Sequence, residues 1–170
     1  MATTFTVGSG DYARPYRNPR IQYFPEAASQ SFKKGEVVII AGAGIENQVT
    51  VASNDPTANV LGLAAEDASG ITGYMLGVYI AHADGEFIAR TISTDAVDFS
   101  DIGTGRAIEK DGTNVIWVVD TADASNDGVV VLGYLNPVTR NPQTTEGDTQ
   151  PWCVFRFQPG ATVWGPGAGV

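Results

Sequence analysis

Residues 24–70, FPEAASQSFKKGEVVIIAGAGIENQVTVASNDPTANVLGLAAEDASG, decide the fold. The polar turn Phe32-Lys33-Lys34-Gly35-Glu36 feeds the β-branched run Val37-Val38-Ile39-Ile40. Gly42 and Gly44 then break the chain before Gln48-Val49-Thr50-Val51 resumes it, and Val60-Leu61-Gly62-Leu63-Ala64-Ala65 follows. β-Branched residues suit a pleated, half-buried surface, and the runs are too short for anything but strands. Nothing in the stretch carries chemistry; it is built to pack and to bind.

Outward from this segment the same pattern predicts strands near 22–24, 36–41, 48–52, 59–65, 74–82, 86–92, 106–110, 114–120, 129–135 and 153–158. So many short strands indicate an all-β fold. Three of them share an apolar-Gly-apolar centre, Leu61-Gly62-Leu63, Leu76-Gly77-Val78 and Leu132-Gly133-Tyr134. Their spacing is too irregular for a repeat protein, so these glycines are expected to bend, bulge or closely approach as a small sheet curls into a barrel. Asp84-Gly85 and Asp111-Gly112 are each expected to close a hairpin, since Asp-Gly tolerates the positive φ of tight turns. One short helix is expected over 94–102, with Thr94 as its cap and Gly103 as its stop. Val115–Val119 and Val129–Leu135 are apolar on both alternating faces, so each is either covered twice within the domain or meets another subunit.

Upstream, residues 1–23 mix Gly8, Gly10, Pro15 and Pro19 with tyrosines and arginines, without clean alternation. They read as an extended arm before a β-domain over 24–158, with a flexible tail at 159–170. Residues 1–34 hold five cations against two carboxylates, net +3, so the remaining 136 residues carry −12 of the total −9. An acidic body repels phosphate backbones, which argues against nucleic-acid binding, whereas a basic arm suits an acidic protein surface. Twenty glycines and nine prolines in 170 residues favour turns over disorder because apolar content is ordinary. No apolar run reaches about 18 residues and the start has no signal-like segment, so a soluble, unprocessed chain with no membrane partner is expected. The lone Cys153 excludes an internal disulfide and fits folding in a reducing cytoplasm.

The segment AASQSFKKGEVV followed by VLGLAAEDASG resembles, in the order and spacing of its small, apolar and Gly positions, the β-domains of head-decoration (cement) proteins of tailed bacteriophages. The resemblance extends over roughly residues 24 to 135. It implies a small β-barrel-like or β-tulip-like domain with an extended N-terminal arm and at most one short helix. It also implies a structural virion protein, made in the host cytoplasm, that binds the outside of an assembled capsid. Such a protein bridges neighbouring major capsid subunits, commonly as a homotrimer, without a cofactor and without catalysis. On this reading Tyr12, Arg14, Tyr16, Arg17 and Arg20 are the expected capsid contacts of the arm, and Trp117 and Trp164 are expected oligomer or capsid contacts.

Other chemistries find little support in the residues. Gly42-Ala43-Gly44 and Gly103-Thr104-Gly105 lack the Lys and helix of a phosphate loop. Asp95, Asp98 and Asp101, and Asp120, Asp123 and Asp127, do not match a calcium loop and read as solvated loop carboxylates, with a hydrolase centred on the first set as the weakest reading. His82 stands by a turn with no nucleophile, and Cys153 has no paired base in sequence. The alternative function is a glycan-binding module of a virion or surface protein, using the rings of Trp117, Trp152 or Trp164.

Overall fold

The computed structural model describes residues 12–41, 48–92, 95–111 and 116–163. Eleven strands are seen among them: β1 (Arg14–Arg17), β2 (Ile21–Pro25), β3 (Val37–Ile40), β4 (Val49–Val51), β5 (Val60–Ala64), β6 (Met75–Ile80), β7 (Glu86–Thr91), β8 (Gly105–Asp111), β9 (Ile116–Asp120), β10 (Val129–Leu135) and β11 (Trp152–Phe157). They form two sheets, so the fold is all-β.

The first sheet runs β1-β7-β11-β10-β8-β9, and β7 also pairs with β9 through Arg90↔Val118 and Thr91↔Val119. The strands β7, β11, β10, β8 and β9 therefore close into a ring. An odd number of strands cannot close with every neighbour antiparallel, and the β7–β9 seam is the parallel pair that geometry demands. β1 lies on the same edge of β7 as β9, opposite its earlier residues: Arg14↔Ile88, Pro15↔Phe87 and Arg17↔Glu86. The second sheet runs β2-β6-β5-β3-β4, entirely antiparallel, and is drawn toward closure by the bridge between Glu26 and Val49.

The ring interior and one face of the second sheet share a core. Phe87, Phe155, Phe157, Trp117, Val119, Ile108 and Val131 pack there with Val37, Val60, Leu63 and Ala81. Phe87, Phe155 and Phe157 form a mutual cluster with centroids 5.3–5.9 Å apart, within the range where aromatic rings attract. The other face of the second sheet buries Phe32, Val38, Val49, Leu61, Leu76 and Val78. The ring is tied to that sheet by Lys110 on β8, whose Nζ lies 2.6 Å from the buried Glu36 carboxylate. The end of the chain adds a second tie, since Val60 N donates to Ala161 O and Val163 N to Val60 O.

Gly62 answers to the expected close approach. A Cβ there would lie 1.9 Å from Tyr79 O on β6, and its φ of +147° is one that side chains resist. Gly133 instead marks a bulge, at the register shift between Val131 and Gly133.

Four expectations need correction. Asp84-Gly85 does not close a hairpin: β6 belongs to the second sheet and β7 to the ring, so this turn carries the chain between them. Asp111-Gly112 does lie between paired antiparallel strands, β8 and β9, although 112–115 lie outside the described residues. The short helix reduces to one 3-10 turn, Phe99–Asp101, capped by Asp98 accepting from Ser100 N at 2.8 Å. Thr94 lies outside the described residues, and Ala96 instead bridges to Thr149, leaving no room for a longer helix. Of the segment read as an arm, residues 14–17 form a strand of the first sheet, while β2 at 21–25 is the strand expected near 22–24. Of the segment read as a tail, Ala161 is buried and Thr162 bridges to Val60.

Candidate partner-binding surface

β1 delivers Arg14 and Tyr16 to the outer face of the ring, where Ile88, Leu135, Trp152 and Val154 form a separate apolar cluster with Tyr16 and Leu132 packed against it. Trp152 is fully buried, and three guanidiniums surround its ring: Arg14 at 4.7 Å, Arg90 at 4.5 Å and Arg140 at 4.6 Å from the centroid. They reach it from far-separated segments: β1, β7 and the turn after β10. Arg90 is buried, and its Nη1 donates to Gln150 O at 3.0 Å. Arg140 is exposed, on a turn in which Asn136 Oδ1 accepts from Val138 N and Thr139 N. Both supporting positions are strained, with φ of +58° at Arg140 and +53° at Gln150, a conformation kept in place only by its surroundings. Next to this cluster Arg17 stacks on Tyr16 at 5.0 Å and lies 3.7 Å from Glu86.

A second feature follows directly along the chain. β2 is an edge strand, and its Ile21 and Tyr23 are 48% and 63% exposed. Register places Ile21 opposite Tyr79, Tyr23 opposite Gly77 and Pro25 opposite Met75, so these side chains share one face. Met75 is 51% exposed there, and the turn leading into β6 adds exposed Ile71 and Tyr74. That turn is fixed by Glu26, fully buried at the end of β2. Its carboxylate accepts from Ser69 N (2.8 Å), Ser69 Oγ (2.9 Å) and Gly70 N (2.6 Å), while Glu26 N donates to Tyr74 O. Five large apolar side chains are thus exposed along the edge strand β2, the start of β6 and the turn that Glu26 holds.

The structure places Arg14, Tyr16 and Arg17 together on β1 at the edge of the ring. Arg20 is exposed between β1 and β2, and Tyr12 packs against Gly35, where an added Cβ would lie 2.8 Å from its ring. Trp117 stands differently: it is 1% exposed in the shared core, because both faces of β9 are covered within the chain, and it has no surface to give a partner. Trp152 is equally enclosed, so neither ring offers a platform to a sugar. Trp164 lies outside the described residues. Sequence reading missed Arg90, Arg140, Ile71, Tyr74 and Met75. Its available signals were a lone arginine in the apolar strand Phe87–Thr91 and the alternation Ile21-Gln22-Tyr23.

No family model, curated protein or solved structure matches the chain.

The acidic groups serve the fold. Asp95, Asp98, Asp101 and Glu146 line an open depression with Thr121. Asp95 is buried rather than solvated and accepts from Thr121 N and Oγ1; burial pushes its carboxyl above the ordinary range against those bonds. Asp101 is also buried, between Arg106 at 2.7 Å and the Tyr134 hydroxyl at 2.8 Å, and burial foremost drives that phenol far above its usual range. Asp123 accepts from Ser125 and Asn126, which holds its carboxyl down to about 2. Among the described residues no group of three or more His, Cys, Asp or Glu side chains is placed to hold a metal. His82 Nε2 meets Asn18 O at 2.9 Å, and Cys153 is buried, with its thiol pushed well up by burial.

Proposed function

We propose that this chain is a structural virion protein that binds the outer surface of a tailed-bacteriophage capsid and stabilises the shell by bridging major capsid subunits, as a homo-oligomer and without catalytic turnover. The observation that carries the reading is the exposure of Ile21, Tyr23, Ile71, Tyr74 and Met75, five large apolar side chains on the edge strand β2, the start of β6 and the turn before it. The resemblance of residues 24–135 to head-decoration proteins supplies the partner. The engagement of Asp95, Asp98 and Asp101 in local hydrogen bonds or ion pairs supports a binding role over a hydrolytic one.

A protein that binds assembled shells but not dispersed subunits stabilises the assembled state by mass action, and many weak contacts acting together multiply the effect. The test mixes purified chain with undecorated heads and with free capsid subunits, and measures bound copies and head disruption temperature. Heads should be decorated and their disruption temperature raised. Tyr23→Ser with Met75→Ser should abolish decoration while leaving the melting of the isolated chain within a few degrees, since both side chains are already exposed. Equal binding to free subunits, or saturation of heads with no shift in disruption temperature, would overturn the proposal.

A further inference from the structure

Ile21, Tyr23 and Met75 form an apolar strip on the side of the second sheet that faces the shared core. Register shows this, because Ile21 stands opposite Tyr79, whose ring packs against that core, and opposed residues share a face. The strip is core-side surface that the ring does not reach, and its three side chains stay 48–63% exposed. The described chain begins close by. Tyr12 lies against Gly35, whose N–H donates to Ala64 O at 2.9 Å. The next residue, Ala65, and the ring of Tyr23 both come within 3.5 Å of the point where a Cβ on Gly77 would stand. Ala64 pairs with Val78 and Val78 with Gln22, so the path from there to β2 is two strand spacings, roughly 10 Å.

The sequence ahead of Tyr12 fits that gap. Gly8-Ser9-Gly10-Asp11 can span up to roughly 14 Å, enough to cross from Tyr12 to Tyr23. Before it, Phe5 and Val7 alternate with Thr4 and Thr6, the period that puts both apolar side chains on one face of an extended segment. We infer that Thr3–Val7 packs over the strip of its own chain, with Phe5 and Val7 against Tyr23 and Met75. Tether and charge select this occupant. A short linker holds the segment at about millimolar effective concentration. Thr3–Val7 carries no charge, whereas a second copy would bring −9 against −9. The cover is also partial, since two side chains cannot enclose Ile71 and Tyr74 as well, so a partner that buries the whole surface displaces it. The contact belongs to the free chain and does not depend on the capsid reading; where that reading holds, the segment shields the strip until a shell lifts it.

Met75 supplies the readout, because dilute peroxide converts an accessible methionine to its sulfoxide and mass spectrometry of the peptide that holds it follows the rate. In the full chain Met75 should oxidise slowly. Phe5→Ser with Val7→Ser should speed it roughly fivefold, as for a cover closed in about four chains of five. Deletion of residues 2–7 should do the same, and a synthetic peptide of residues 2–7 at millimolar concentration should restore the protection. Thr4→Ser with Thr6→Ser, on the other face of the segment, should leave the rate unchanged. Circular dichroism of each variant reads folding separately. Equal rates in the full chain, the Phe5→Ser/Val7→Ser variant and the deletion would overturn the inference, as would equal acceleration by Thr4→Ser/Thr6→Ser. Protection that grows with protein concentration would overturn it too, and would assign the strip to a second copy. Oxidation is read without heads, so its outcome and that of the decoration test stand or fall separately.

Discussion

Replacing Glu26 by Ala should cost this fold far more than deleting an exposed carboxylate. The side chain is fully buried and accepts three hydrogen bonds, from Ser69 N, Ser69 Oγ and Gly70 N. Bonds to a charged acceptor contribute about 1.5–3 kcal/mol each. Ser69 and Gly70 are exposed, so water can reach their donors once the carboxylate is gone, which places the loss at the low end, about 4–5 kcal/mol in total. Against a total stability of about 5–15 kcal/mol that is a large fraction. For a chain of this size it corresponds to a fall in melting temperature of roughly 10 °C. Glu26→Gln keeps one acceptor oxygen but turns an amide donor toward a donor, and should lose about half as much. Glu146→Ala is the control: that residue is exposed and accepts one bond, from Phe99 N at 3.2 Å, and should cost less than about 1 kcal/mol. Urea unfolding followed by circular dichroism measures all three. A Glu26→Ala midpoint indistinguishable from that of Glu146→Ala would refute the argument that this carboxylate frames the turn bearing Ile71 and Tyr74.

Two further outcomes are expected. Gly62→Ala should unfold the chain or destabilise it by more than about 4 kcal/mol, because its Cβ would strike Tyr79 O; Gly133→Ala, with nothing within 4 Å of the added Cβ, should stay within about 1 kcal/mol in the same urea assay, and similar losses at both sites would contradict the account. Asp123, held at about 2 against an ordinary 3.8, is ionised more readily folded than unfolded, so its contribution is present above pH 3.8 and is lost as the pH falls toward 2; melting curves across that window should be flatter for Asp123→Ala, and an unchanged pH slope would disprove the assignment.

The strands from Val37 to Phe157 are legible in the sequence because β-branched and aromatic runs bounded by glycine and aspartate reflect purely local preferences. Pairing is not local. Asp84-Gly85 has the composition of a hairpin turn, yet the strands on either side prefer different partners, and nothing within six residues records that choice. β1 escapes notice for a different reason: Arg14-Pro15-Tyr16-Arg17 has poor strand propensity and is held by pairing with β7 and by contact with Trp152. Glu26 reads in sequence like any surface carboxylate, and its role depends on a turn more than forty residues away. The arginine cluster draws on positions 14, 90, 140 and 152, a convergence that no window along the chain can display. Trp117 reads as a contact because a strand apolar on both faces looks the same whether its second cover is a partner or its own Ile92.

The closed ring gives the two ends of the described chain unequal mechanical standing. β11 sits between β7 and β10 and can be withdrawn only by breaking ladders on both sides. β1 has a ladder to β7 alone, over three register pairs, one of them at a proline that has no N–H to contribute. A pull entering before residue 12 therefore meets a strand held on one side only, while one entering after residue 163 must first work loose the Thr162–Val60 bridge and then reaches a strand held on both sides. Under a load applied between its two ends, β1 is the fuse: it yields, lengthens the connection and leaves the ring intact.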